Sequence, residues 1–357
     1  MSIEGVGDIT MATDTGSTGI IISKGRIANY DALVLAQNAP TVPHFLSSSS
    51  RLYTGKLLRL KVAFPGKSLA DGSAITASGT VPILAVEKLE TCPWYPKDER
   101  PRPVGCPERP AGDDRPAEEQ DSTGVQYMGV GFGRDDTDPK GFSMPWTNSF
   151  LAMDTINDRP TTTNAGWIIG TKGVVLGLTS ENTQNFDWEA LPPGQLQTTS
   201  EPRDWKAVTA ATSIDQTSLG GVNTCAIDSS CHVQGTVLID TGLDYMFIRM
   251  PKENYSNISM AQNSDGDNIL PKGTVLTTSL SAPCNASSAG SYTFTFGEGS
   301  GVEPTYARPL AFEPADGSFV NTGRNFLRGH DIAFDAVNGR FGLRAVGAAD
   351  GLGNVSK

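Results

Sequence analysis

The sequence predicts an all-β chain divided into two lobes, and three observations carry that prediction. Apolar runs are short and rich in Val, Ile, Thr, Phe and Tyr, punctuated by 39 glycines and 23 prolines, while long helical patterns are scarce. The 357 residues exceed what one hydrophobic core usually fills. The tripeptide Asp-Thr-Gly also occurs twice in matched surroundings, "MATDTGSTGIII" at 11–22 and "VLIDTGLDYMFI" at 237–248. Each copy reads as strand, tight turn, strand. Glycine permits the turn, and the short acidic side chain before it is lifted into an open position. One such turn is ordinary; a matched pair points to two copies of one structural unit.

The elements follow in order. Residues 1–23 read as a hairpin leading into the first Asp-Thr-Gly. "RLYTGKLLRLKVAF" (51–64) and "GTVPILAVEKL" (79–89) read as strands. Residues 93–121 hold seven prolines and thirteen charged residues, so an exposed, partly mobile loop is expected there. "QYMGVGFGR" (126–134) contains a G-x-G-x-G run. A nucleotide site would need a following helix in a βαβ unit, and none is legible. "GWIIGTKGVVLGL" (166–178) alternates like a hairpin. The Pro-, Gly- and Ser-rich stretch 187–204 reads as a lobe boundary. "WKAVTAATSI" (205–214) starts the next strand set, "SYTFTFG" (291–297) alternates cleanly, and Asn338-Gly339 marks a hairpin turn in the closing segment. The halves echo each other: each has an Asp-Thr-Gly, then strands, then a segment ending in glycine, "YMG" at 127–129 and "NTG" at 321–323. The expected division is an N-terminal lobe of residues 1–192, a C-terminal lobe of 193–346 and a tail of 347–357.

Bulk properties narrow the function classes. A net charge of −11 argues against nucleic acid, because phosphate binding needs a basic face. It suits work in acid, where carboxylates take up protons and their repulsion fades. No apolar run is long enough for a membrane span. The three histidines, His44, His232 and His330, lack zinc-ligand spacing and a G-x-S-x-G companion, so no metal and no serine triad are expected. Cys225 and Cys231 are close in sequence, and Cys92 and Cys106 bracket the proline-rich loop, which suits two local disulfides with Cys284 left over. Disulfides imply a secreted or periplasmic location. No signal peptide is visible; either the chain stays inside or a leader was removed. Four Asn-x-Ser/Thr sequons occur, at Asn254, Asn257, Asn285 and Asn354, in a chain rich enough in Asn and Ser to supply several by chance.

These residues together resemble the pepsin-like aspartic proteases. "DTGSTG" matches the first active-site motif, and "SIEGVGDITMAT" has the pattern of the hairpin before it. "YMGVGF" is similar to the hydrophobic-hydrophobic-Gly segment of the N-terminal lobe. "DWKAVTAATSI", the Cys225–Cys231 pair and "GTVLIDTG" follow the order of the C-terminal lobe, and the closing segment is similar as well. The resemblance spans nearly the whole chain. It implies a bilobal pepsin-like fold with two β-barrel-like lobes and few short helices. It implies an endopeptidase that hydrolyses a polypeptide substrate in acid, as a monomer and without cofactor, through a water activated between Asp14 and Asp240.

Two carboxylates brought face to face share one proton, because both cannot stay charged. By the resemblance, Thr15 and Thr241 cross-bond beneath the pair, Gly16 and Gly242 bring backbone N–H groups to the carboxylates, and Ser17 orients the outer oxygen of Asp14. Leu243 stands where a hydroxyl residue often supports the second aspartate. Asp14 is therefore expected to ionise more readily and Asp240 to keep the proton. Tyr53 in "RLYTG" is either the flap tyrosine that covers the cleft or a packed strand tyrosine. Asp244 reads as a turn residue, and His330 beside Asp331 as surface. Leu243 and the unclear flap motivate an alternative, a non-proteolytic binding or inhibitor protein that keeps the fold and cleft. A β-rich surface protein with two incidental turns is the third reading.

Overall fold

The computed structural model describes all residues except 97, 98, 100, 135–141, 198–200, 221–232, 281–289, 313–317 and 347–357. The described residues are mainly β, with two α-helices among them, Tyr30–Gln37 and Lys252–Ser256. They form two compact units. The first is Met1–Thr162 with Gly194–Asp204; the second is Thr163–Pro193 with Trp205–Lys357. The units interleave along the chain, whereas the sequence reading divides it in chain order near residue 192. The reason lies in strand pairing. Asn164–Gly170 pairs with His330–Asp335, and Asp187–Ala190, read from sequence as part of a boundary, is a strand on Arg340–Ala345.

The first unit is built on a long hairpin. Arg51–Lys67 and Ala74–Thr91 pair antiparallel from Arg51↔Thr91 to Lys67↔Ala74. Thr18–Ser23 lies parallel to Ala74–Thr91 and antiparallel to Gln126–Val130. Its Ile20, Ile21 and Ile22 are fully buried, as an unbroken apolar run covered on both faces should be. Gln126–Val130 also lies parallel to Thr13–Asp14. It thus runs between the strand that enters the first Asp-Thr-Gly and the strand that leaves it.

The second unit repeats this arrangement. Val233–Leu238 enters the second Asp-Thr-Gly and Met246–Pro251 leaves it. Ser318–Asn321 runs between them, parallel to the first and antiparallel to the second. The echoed "YMG" and "NTG" segments are therefore equivalent crossing strands. Other strands complete a seven-stranded sheet, and a five-stranded sheet carries Asn164–Gly170 and the closing hairpin. That hairpin turns through Asn338 and Gly339, as read from the sequence.

Two sequence readings need correction. His330 and Asp331 are not a surface pair: His330 is half-buried and Asp331 is fully buried against Arg344, whose Nη2 lies 2.7 Å from its Oδ2. The stretch 93–121 is not uniformly an exposed loop. Cys92 and Cys106 form a disulfide, and Tyr95 is buried with Cys92 and Leu52, flanked by Phe45 and Trp94. Two aromatic rings and a crosslink offset the polarity of the prolines and charges around them. The Cys225–Cys231 pairing and Cys284 lie outside the described residues.

Candidate active site

The first Asp-Thr-Gly is held from its own turn. Asp14 ends the strand Thr13–Asp14 and is half-buried. Its Oδ1 accepts the backbone N–H of Gly16 at 2.7 Å, and its Oδ2 accepts the hydroxyl of Ser17. Thr15 and Ser17 are buried. The crossing strand presses on this turn so closely that it needs glycine. A Cβ at Gly129 would lie 2.5 Å from the Ser17 carbonyl carbon, and one at Gly131 would lie 2.2 Å from the Thr15 carbonyl oxygen. Gly129 and Gly131 of the G-x-G-x-G run thus serve close packing. Thr18 Oγ1 donates to the Gly131 carbonyl at 2.9 Å. The buried Asn148 side chain donates to the carbonyls of Val130 and Gly131 at 2.9 and 3.1 Å. Sequence reasoning missed Asn148, which looks like one of many loop asparagines.

The second Asp-Thr-Gly is held differently. Asp240 is 7% exposed, and its Oδ1 accepts the Gly242 N–H at 2.8 Å, matching Gly16 and Asp14. Its Oδ2 accepts Nδ2 of Asn321 at 2.7 Å. The Asn321 carbonyl Oδ1 accepts the Gly323 N–H at 3.0 Å, which fixes the amide with its nitrogen toward the carboxylate. Leu243 lacks a hydroxyl, yet Oδ2 of Asp240 has a side-chain donor, supplied from the crossing strand. Sequence reasoning missed Asn321 because it reads as part of an apolar-Gly segment. The residues after it clamp the loop: Arg324 N–H donates to the Leu243 carbonyl at 2.7 Å, and Asn325 Nδ2 to the Asp244 carbonyl at 2.9 Å. Gly323 has φ +66°, and a Cβ there would lie 2.5 Å from the Tyr245 carbonyl oxygen. Thr241 is half-buried and Asp244 is exposed, paired with Arg324 at 3.4 Å.

Tyr53 is a packed strand tyrosine. It sits inside Arg51–Lys67, 4% exposed, clustered with Val42, Leu84, Val86, Leu89 and Phe142. That burial removes it as a flap: a residue that covers a site from a hairpin tip must be able to leave the core. Near it, Nε2 of the buried His44 lies 2.9 Å from the Tyr127 hydroxyl, and Nδ1 lies 3.1 Å from the Ser143 hydroxyl. Burial, with smaller contributions from Arg102 and Arg134, pulls the His44 pKa down to about 3. Burial also raises the Tyr127 hydroxyl well above its ordinary range, with Tyr53 and Asp14 adding to the effect. Among the described residues no group of three or more His, Cys, Asp or Glu could hold a metal ion, and no helix is long and apolar enough to cross a membrane.

The sequence matches no family model and no curated protein sequence. The fold is similar to that in the crystal structure of an aspartic proteinase from Irpex lacteus. The two are 12% identical, the match covers 98% of this chain and 94% of that one, and the TM-score is 0.52. With two β-rich units, each built around an Asp-Thr-Gly turn and a crossing strand, the chain has a pepsin-like fold.

Proposed function

We propose that the protein is an aspartic endopeptidase that hydrolyses polypeptides in acid, with Asp14 and Asp240 as its paired catalytic residues. The observation that carries this reading is the matched presentation of the two carboxylates. Each accepts the N–H of the glycine two residues on, and each has a side-chain donor on its other oxygen. Incidental turns have no reason to repeat both supports.

In the proposed mechanism the pair holds a water and one proton. The ionised carboxylate takes a proton from the water, whose oxygen bonds to the peptide carbonyl carbon. The other carboxylic acid gives its proton to the carbonyl oxygen. The gem-diol then collapses. The C–N bond breaks, the leaving nitrogen takes the proton held by the first carboxyl, and a diol hydroxyl returns a proton to the second. Gly16 and Gly242 steady the carboxylates, and Ser17 supports Asp14. No covalent intermediate forms.

The test is cleavage of an unfolded polypeptide between pH 2 and 6. Asp14→Asn and Asp240→Asn should each lower kcat at least about a thousandfold, since an amide neither shares the proton nor activates water. An inhibitor that mimics the gem-diol should block cleavage, and serine-protease inhibitors should not. The buried Tyr53 favours a second reading, a pepsin-fold binding or inhibitor protein without a working flap. Tight binding of the mimic with no cleavage at any pH would select it.

A further inference from the structure

The two aspartates receive different side-chain donors on Oδ2, and the difference has a chemical direction. The donor to Asp14 is the hydroxyl of Ser17, three residues on in the same turn. The equivalent place beside Asp240 is Leu243, and the donor is instead Asn321 on the crossing strand. Asn321 pairs with Leu238, two residues before Asp240, and Met128 pairs with Thr13, one residue before Asp14. Asn321 is therefore the counterpart of Tyr127, whose side chain is spent on His44. The second unit has moved its support from the turn to the strand.

A hydroxyl can donate to a carboxylate or accept from a carboxylic acid, whereas an amide nitrogen can only donate. The Gly323 N–H holds the Asn321 carbonyl oxygen, so the amide does not flip to offer an acceptor. A donor-only partner on Oδ2 stabilises the ionised carboxylate more than the acid and offers no acceptor to a proton there. Asn321 is 2% exposed, so water does not take over that bond. The other oxygen of Asp240 faces the Gly242 N–H, again a pure donor. Asp14 has one pure donor, from Gly16, and one hydroxyl that suits either protonation state.

We infer that Asn321 is the positioning residue of Asp240: its donor-only amide, aimed at Oδ2, replaces the missing hydroxyl and favours the ionised carboxylate, the form that acts as base. This rests on the paired-aspartate reading and reverses the assignment that Leu243 suggests from sequence. In the hydrolysis above, Asp240 takes the proton of the attacking water and passes it to the leaving nitrogen. Asp14 protonates the carbonyl oxygen and recovers a proton from the gem-diol. Val233–Leu238 and Ser318–Asn321 carry no titratable side chain. Among the described residues, the charged or titratable groups on the turn after Asp240, on Met246–Pro251 and on the segment after Asn321 are Asp244, Tyr245, Arg249, Arg324 and Arg328, with Arg324 paired to Asp244.

The experiment titrates both aspartates by carboxyl ¹³C NMR in the wild type, Asn321→Ser and Asn321→Leu, with resonances assigned from Asp14→Asn and Asp240→Asn. Removing the amide should raise the Asp240 midpoint by about one pH unit. In an active enzyme the acid limb of kcat/KM should rise with it, about a tenfold loss below the limb. Asn321→Leu combined with Leu243→Thr should restore both. An unmoved Asp240 midpoint in a folded variant overturns the inference. The wild type alone gives a second measurement. The side-chain amide resonances of Asn321 should follow the titration of Asp240, and resonances that follow Asp14 or do not move also overturn it. The NMR readouts need no turnover. A wild type that cleaves nothing therefore sinks the endopeptidase reading separately, while the link between Asn321 and Asp240 stands or falls on the titration.

Discussion

The hydroxyl of Tyr127 and Nε2 of His44 lie 2.9 Å apart against the core of the first unit, with Ser143 on the other side of the ring. This network holds a neutral imidazole where a charged one would be desolvated, so folding stability should depend on pH through His44. Its folded pKa is about 3, below the ordinary 6.5. The unfolded chain therefore takes up the proton first as pH falls. The stability is fully present above pH 6.5 and is lost between 6.5 and 3, a total of several kcal/mol in order of magnitude. His44→Phe should be about 1–3 kcal/mol less stable at pH 7, because Tyr127 and Ser143 lose a partner. Below pH 4 that deficit should vanish. Urea unfolding of both proteins at pH 7 and pH 4 checks this; a constant difference would contradict it.

Ser17→Ala should lower kcat roughly ten- to hundredfold with little change in KM. The hydroxyl touches Asp14 and is buried, so its loss removes support from the carboxylate proposed as catalytic without opening a large cavity. Steady-state kinetics on a peptide substrate, paired with a thermal melt showing intact folding, measures it.

Gly129→Ala and Gly131→Ala should each cost about 3 kcal/mol or more, visible as a large drop in Tm. The added methyl would collide with backbone of the first Asp-Thr-Gly turn, which cannot move aside as a flexible side chain can. A nucleotide-site reading of the same glycines predicts loss of ligand binding with stability intact, so the melt separates the two.

Cys106→Ser should destabilise the first unit by about 3 kcal/mol, from the freed conformational entropy of the loop that begins at Cys92. Non-reduced peptide mapping should recover Cys92 linked to Cys106. Tyr95 should become accessible to modification in the variant. In the native protein it is 5% exposed, and its hydroxyl donates to the Pro103 carbonyl at 2.6 Å.

What the sequence made legible was local or repeated. The two Asp-Thr-Gly turns, the Ile20–Ile22 core strand, the 166–178 hairpin and the Asn338-Gly339 turn each announce themselves within a dozen residues. The equivalence of "YMG" and "NTG" was legible because it occurs twice. Relations between distant, chemically unremarkable residues were hidden. Asn321 is a strand residue whose use depends on a parallel pairing with Leu238, and no local pattern encodes that pairing. Tyr53 was ambiguous because a flap tyrosine and a core tyrosine look alike until the strand's neighbours are known. Trp94 and Tyr95 were masked by the prolines and charges around them.

The five-stranded sheet has a consequence for synthesis. Trp167 and Ile168 are about 1% exposed, and strand His330–Asp335, which pairs with theirs, is made long after them. Ile168 leaves the ribosome early and must wait for Ala333, with Phe334 closing over Trp167 at a ring separation of 5.8 Å. Until then a nascent chain carries a bare tryptophan-isoleucine strand edge, open to chaperones and to the same edge on neighbouring chains of a polysome. The first unit has most of its strands in hand by residue 162. A ribosome stalled before residue 330 would therefore display one largely folded unit joined to one that cannot close.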